Sequence, residues 1–144
     1  MPGKLVPILC KRHFDFTAVA GGASQDIVLV ADIDTASYVY AGIFVRVHAR
    51  NMTAGQSLDF SLYNTLPTEA DHREFVETDG AGSPSALVTV TVTSASPAAA
   101  PGMQSDYTTR IGPFLKVVLS ANQDSTPATF YAELSAELLL RENS

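Results

Sequence analysis

The stretch "ATFYAELSAELLL", Ala128 to Leu140, decides the fold. Two periodicities compete within it. Its part "YAELSAELLL" is rich in good helix formers, and the apolar spacing fits a helix of three turns. Read with period two, the same residues place Phe130, Ala132, Leu134, Ala136, Leu138 and Leu140 on one face, with Thr129, Tyr131, Glu133, Ser135 and Glu137 on the other. The alternation runs unbroken through the segment, and no N-cap residue precedes a helical run. A strand is therefore expected.

Outward from that segment the same period recurs. It is seen in 13–19, 37–50, 57–64, 72–78, 85–94 and 113–121, while 26–33 is more continuously apolar, as expected of a strand covered on both faces. Leu58, Phe60 and Leu62 share one face, as do Val88, Val90 and Val92, and Leu115, Val117 and Leu119. Gly42 lies inside the long segment 37–50, where a glycine often marks a bulge or bend. The connectors "AGGASQ", "NMTAGQ", "DGAGSP" and "NQDSTP" carry turn chemistry. Residues 94–106 read as a long, nearly uncharged loop, either an arm on a neighbour or a crossover between two sheets. About eight strands and no helix predict an all-β, single-domain antiparallel β-sandwich of jelly-roll type. Residues 1–12 are expected to form an N-terminal arm or edge strand, and 13–144 the sandwich domain.

A chain of 144 residues buries enough surface to fold without staples. Its 46% hydrophobic and 17% charged residues are those of a globular protein. The net charge is 9 − 15 = −6, which disfavours binding to a phosphate backbone, so no nucleic-acid partner is expected. The single Cys10 excludes an internal disulfide. The apolar run near the start is short, contains Pro7 and ends in Lys11-Arg12, unlike a secretory signal peptide. With no long apolar span, no membrane partner is expected either.

Catalytic signatures are missing. Gly-x-Ser-x-Gly does not occur. Cys10 and His13 fall on opposite faces of a continuous strand, so the cysteine reads as ordinary. Asp32 and Asp34 make only a fragment of a calcium site; Asp34 reads better as the start of an Asx turn. His13, His48 and His72 stand on separate segments without ligand spacing. Glu133 and Glu137 on one strand face would sit roughly 13 Å apart, too wide for glycoside cleavage. The reading is therefore not an enzyme, with no metal and no cofactor.

One row remains. "IFVRVHAR", 43–50, turns Ile43, Val45, Val47 and Ala49 inward and Phe44, Arg46, His48 and Arg50 outward. Three readings are open for Arg46, His48 and Arg50: a solvated sheet face, an ion-pair surface within or between subunits, or an anion site. Glu133 and Glu137 form a matching negative row, and the acids of 68–79 are another. The contact reading makes Arg46, His48, Arg50, Glu133 and Glu137 the candidate partner-contact residues. It expects reversal of Arg46 and Arg50 together to weaken assembly but not folding.

With its short Ala/Ser/Thr/Val-rich acidic composition, an extension "MPGKLVPILCKR" and a strand-rich ending "TFYAELSAELLLRE", the chain resembles the small β-sandwich and jelly-roll accessory proteins of tailed phages, of the head-decoration or cement type. The resemblance spans the whole length in style and rests on no diagnostic motif. It implies a structural protein of the virion that binds a major capsid or other virion protein. It also implies a homo-oligomer, a trimer among the options, made in the host cytoplasm without a signal peptide. The alternative is a carbohydrate-binding β-sandwich, which usually shows an aromatic platform; here Trp is absent and the five tyrosines look scattered. A cupin-type enzyme would need a His-rich metal cluster.

Overall fold

The computed structural model describes residues 3–65, 86–96, 104–109, 111 and 114–142. They contain eight strands: β1 Gly3–Asp15, β2 Ser24–Asp34, β3 Tyr40–Asn51, β4 Ser57–Thr65, β5 Val88–Val92, β6 Gln104–Thr108, β7 Phe114–Asn122 and β8 Tyr131–Arg141. Among the described residues there is no helix. The ambiguous segment is β8, buried at every second residue from Ala132 to Leu140. The eight strands are not the eight expected from periodicity. Residues 104–108, read as the end of a loop and its sequel, form β6, while the expected strand 72–78 lies outside the described residues. The expected strand 13–19 ends early, because the Thr17 N–H donates to Asp15 Oδ1 at 2.9 Å and turns the chain.

The strands form two antiparallel four-stranded sheets, ordered β1-β8-β3-β6 and β2-β7-β4-β5. Chain neighbours therefore lie in opposite sheets, except β4 and β5. This order is that of a jelly roll. Between the sheets pack Ile43, Val45 and Val47 of β3, Leu58, Phe60 and Leu62 of β4, and Leu115, Val117 and Leu119 of β7, all at most 1% exposed, with the inward row of β8. Burying each large apolar side chain stabilises by about 1.5–3 kcal/mol. At one end Phe14, Phe16 and Phe130 form a ring cluster with centroids 5.6–5.7 Å apart.

Beside that cluster the loops are tied by a buried polar network. Gln56 and Gln123 are 1% and 4% exposed. Gln56 Nε2 donates to Gln123 Oε1 at 2.6 Å, and the Thr53 N–H donates to Gln56 Oε1 at 2.8 Å. Thr53 Oγ1 donates to Asp124 Oδ2 at 2.8 Å, and the Phe130 N–H donates to Thr17 Oγ1 at 3.0 Å. Each buried amide thus has partners, which is the condition for burying it at low cost. The Thr53 hydroxyl holds the Asp124 carboxyl below its ordinary pKa, and hydrogen bonds from Thr17 do the same for Asp15.

The two long edge strands, β1 and β2, are broken in the same way. Each pairs inward with register shifts at two places: at Pro7/Leu9 and Leu9/Arg12 in β1, at Val28/Val30 and Val30/Ile33 in β2. Each carries one non-glycine residue in the left-handed region, Lys11 at φ 47° and Asp32 at φ 54°. Bulges, charges and a proline on an edge deter pairing with another chain. The start of β1 and the end of β8 lie side by side, since Gly3 pairs with Arg141.

Two outcomes follow. Phe60→Ala is expected to destabilise by about 3–5 kcal/mol, measured by urea denaturation. Because the Asp15 and Asp124 pKa values are lowered in the folded state, their contribution is present above the unfolded pKa and is lost as pH falls through the folded one. The unfolding midpoint is expected to be flat from neutrality down to about pH 5 and to drop below about pH 4. Asp124→Asn should flatten part of that drop.

Candidate interaction surface

The register of β1, β8, β3 and β6 fixes what their sheet shows to the outside. Directly paired residues point the same way. One outer row is Leu5, Leu139, Gly42 and Tyr107; the next is Pro7, Glu137, Phe44 and Ser105. Further along, Ser135 lies opposite Arg46, and Glu133 lies between His13 and Ala49. Leu5 is 56% and Tyr107 61% exposed. The upper half of this face is thus aliphatic and aromatic, and the lower half is charged.

Gly42 is not a bulge. Its pairing continues on both sides, and the Tyr40 hydroxyl lies over it, 3.3 Å from where a Cβ would stand. The tyrosines are less scattered than they look in sequence. Tyr40 and Tyr107 stack at 5.4 Å, and the Arg141 guanidinium lies 5.4 Å from the Tyr40 ring from the β8 side. Tyr40 thus packs against both Tyr107 and Arg141, and the 61% exposed Tyr107 is the more open of the two rings.

The bulge of β3 falls elsewhere, between Val47 and Ala49. It changes the row that the alternation predicts. Ala49 pairs with Glu133 and is exposed, not inward. Arg50 pairs with the buried Ala132 and so turns toward the space between the sheets. There its Nη2 donates to the Ser94 carbonyl at 2.7 Å, bridging β3 to the turn after β5. Arg50 serves the fold, so reversing it together with Arg46 does not separate contact from folding. Arg46 and His48 stay on the outer face. His48 Nε2 lies 2.7 Å from Ser135 Oγ, which also accepts the Lys11 N–H at 2.9 Å. That second bond comes from the bulge of β1.

Phe44, Arg46, His48, Ser135, Ala136 and Glu137 line a depression of about 280 Å³. Glu137 is exposed and stands diagonally from Arg46. Arg46 Nε is wholly shielded and has no hydrogen-bond partner among the described residues. Glu133 sits across from His13 and not from an arginine. The five candidate residues are therefore split: Arg46, His48 and Glu137 share one depression, Glu133 lies beyond it, and Arg50 is inside.

The other sheet closes its outer face with its own groups. Thr91 Oγ1 donates to Asp59 Oδ1 at 2.7 Å, and Asn122 Nδ2 donates to Asp59 Oδ2 and Ser57 Oγ, both at 2.9 Å. Ser24 Oγ donates to Asn122 Oδ1, Ser120 donates to Asp26, and Ser61 bonds Thr89. Val28, 52% exposed against Val118, and Tyr63, with the Lys116 ammonium 5.6 Å from its ring centroid, interrupt this polar weave, so β2 is an edge strand and is not covered on both faces. Among the described residues no group of three or more His, Cys, Asp or Glu could hold a metal. Asp34 Oδ1 accepts the Ala36 N–H at 3.0 Å, the expected Asx turn. Cys10 is a free, exposed thiol, and His72 lies outside the described residues.

No protein-family model matches the chain, and no curated protein does. Among solved structures it is similar to VP2 of infectious bursal disease virus in a subviral particle, with a TM-score of 0.54 and 11% identity over 97% of this chain. The chain spans 32% of that VP2 chain. Looser likenesses are to the Gx strain of the same virus (TM-score 0.49, 14% identity, 96% of this chain and 32% of that one) and to a pilus protein of Bacillus endospore appendages (TM-score 0.42, 14% identity, 97% and 87%). At these identities the likeness is one of fold.

The two arginines are expected to separate in a stability assay. Arg50→Ala loses a charge-assisted bond between sheets and should cost about 1.5–3 kcal/mol. Arg46→Ala should change stability by less than about 0.5 kcal/mol. Urea denaturation of both variants checks this.

Proposed function

We propose that this chain is a non-enzymatic structural protein of a virus particle, of the capsid decoration (cement) type found on tailed phages. In this reading it assembles with itself and with a major capsid or other virion protein, requires no cofactor, and binds neither nucleic acid nor membrane. Its place is the virion, after synthesis in the host cytoplasm. The observation that supports the reading best is the β-sandwich with strand order β1-β8-β3-β6 over β2-β7-β4-β5, together with its likeness in fold to VP2 in a viral subviral particle. The unequal outer faces support it. One is satisfied by its own hydrogen bonds, and the other offers apolar and charged groups to a neighbour. The bulges of the long edges β1 and β2 disfavour strand addition along them. In the contact face Arg46, His48 and Glu137 are the residues assigned to the partner, with Glu133 at its margin.

The carbohydrate-binding alternative has less support. A sugar platform needs free ring faces, and Tyr40 is already in contact with the Tyr107 ring and the Arg141 guanidinium.

Immunogold labelling of particles from the source of this sequence, with antibody against the purified chain, tests the reading. Label on the particle surface is expected. Particles that carry none, while the protein is present in the same lysate, overturn it.

A further inference from the structure

We infer that the outer face of the β1-β8-β3-β6 sheet pairs with the same face of a second copy about a two-fold axis. The proposal rests on the self-assembling reading above and names its partner surface. Arg46 and Glu137 have opposite charge, line one depression, and stand diagonally on adjacent strands. A two-fold axis lying in the face and running between them places Arg46 of each copy over Glu137 of the other. Both pairs form at once, the reciprocity that an isologous contact requires. Around them Phe44, Leu139, Leu5 and the exposed Tyr107 ring supply apolar area. The apolar groups supply contact area and the charges set register. On the opposite face Asp59 and Asp26 are bonded within the chain. The symmetry is that of a dimer, so this face does not by itself build a trimer.

Sedimentation velocity on the purified full chain, with Arg46→Glu, Glu137→Arg and Tyr107→Ser variants, tests the contact. The unaltered chain is expected to dimerise. Each charge reversal alone creates two like-charge contacts and should weaken the dimer about a hundredfold. Tyr107→Ser should weaken it several-fold without altering the charges. The two reversed chains mixed together should recover a heterodimer, because both of their cross-pairs are again opposite in sign. Circular dichroism checks that each variant is folded, and Arg46→Ala, expected to weaken the dimer less than reversal does, stands in if one is not. A chain that is monomeric or trimeric at every concentration overturns the proposal. So do reversals without effect, or a mixture that stays monomeric. A dimer that behaves as described beside particles without label removes the virion reading and keeps the contact. Labelled particles with no dimer do the reverse.

Discussion

Everything in this molecule depends on the pairing of β8 on both sides, with β1 along one side and β3 along the other. A central strand must satisfy its backbone groups in both directions. Here its partners come from the far beginning and the first third of the chain. The alternation of β8 then carries its inner row into the core and its outer row onto the face that holds Ser135 and Glu137. One strand thus sets the core, the register of the sheet and the position of the candidate surface. The jelly-roll order makes such distant pairings the rule, and contacts between sequence-distant strands slow the search for the native state.

The two sheets solve the problem of an outer face differently. On β2-β7-β4-β5, short hydroxyl, amide and carboxylate side chains find one another across strands, at lengths of 2.6–3.0 Å where Ser24, Asn122, Asp59, Thr91 and Thr89 meet. The groups bonded in this way gain little from a partner, because a new bond to any of them would replace one already present. On β1-β8-β3-β6 the side chains are longer, more apolar and differently matched. Serine, not glutamate, stands across from Arg46, and phenylalanine stands across from Glu137. The unevenness lies in register as much as in composition.

Much of the fold was legible because burial in a two-layer sandwich repeats every second residue. The inward rows of β4, β5, β7 and β8 could be read directly. The polar segment Gln104–Thr108 could not, since an edge strand of five residues carries little periodic signal. Bulges were equally silent. Whether a strand gains a residue between Val47 and Ala49 is decided by the strand beside it, so nothing in "VRVHAR" announces that Arg50 will turn inward. The same holds for Tyr40 and Tyr107, 67 positions apart and brought together only by the β3–β6 pairing (107 − 40 = 67). Gly42 was the one local hint: a residue without a side chain, beneath the Tyr40 ring and beside Tyr107.

The pairing of Gly3 with Arg141 has a mechanical meaning. Both described ends leave the sandwich at one corner, on adjacent antiparallel strands. Tension between them would load the β1–β8 hydrogen bonds one after another, as a zipper opens, and not all together in shear. Force applied through the face would load the whole sheet at once. A sandwich held by its face would therefore resist load far better than one pulled at its two described ends. The same corner geometry would let it be spliced into a surface loop of another protein with both ends already side by side.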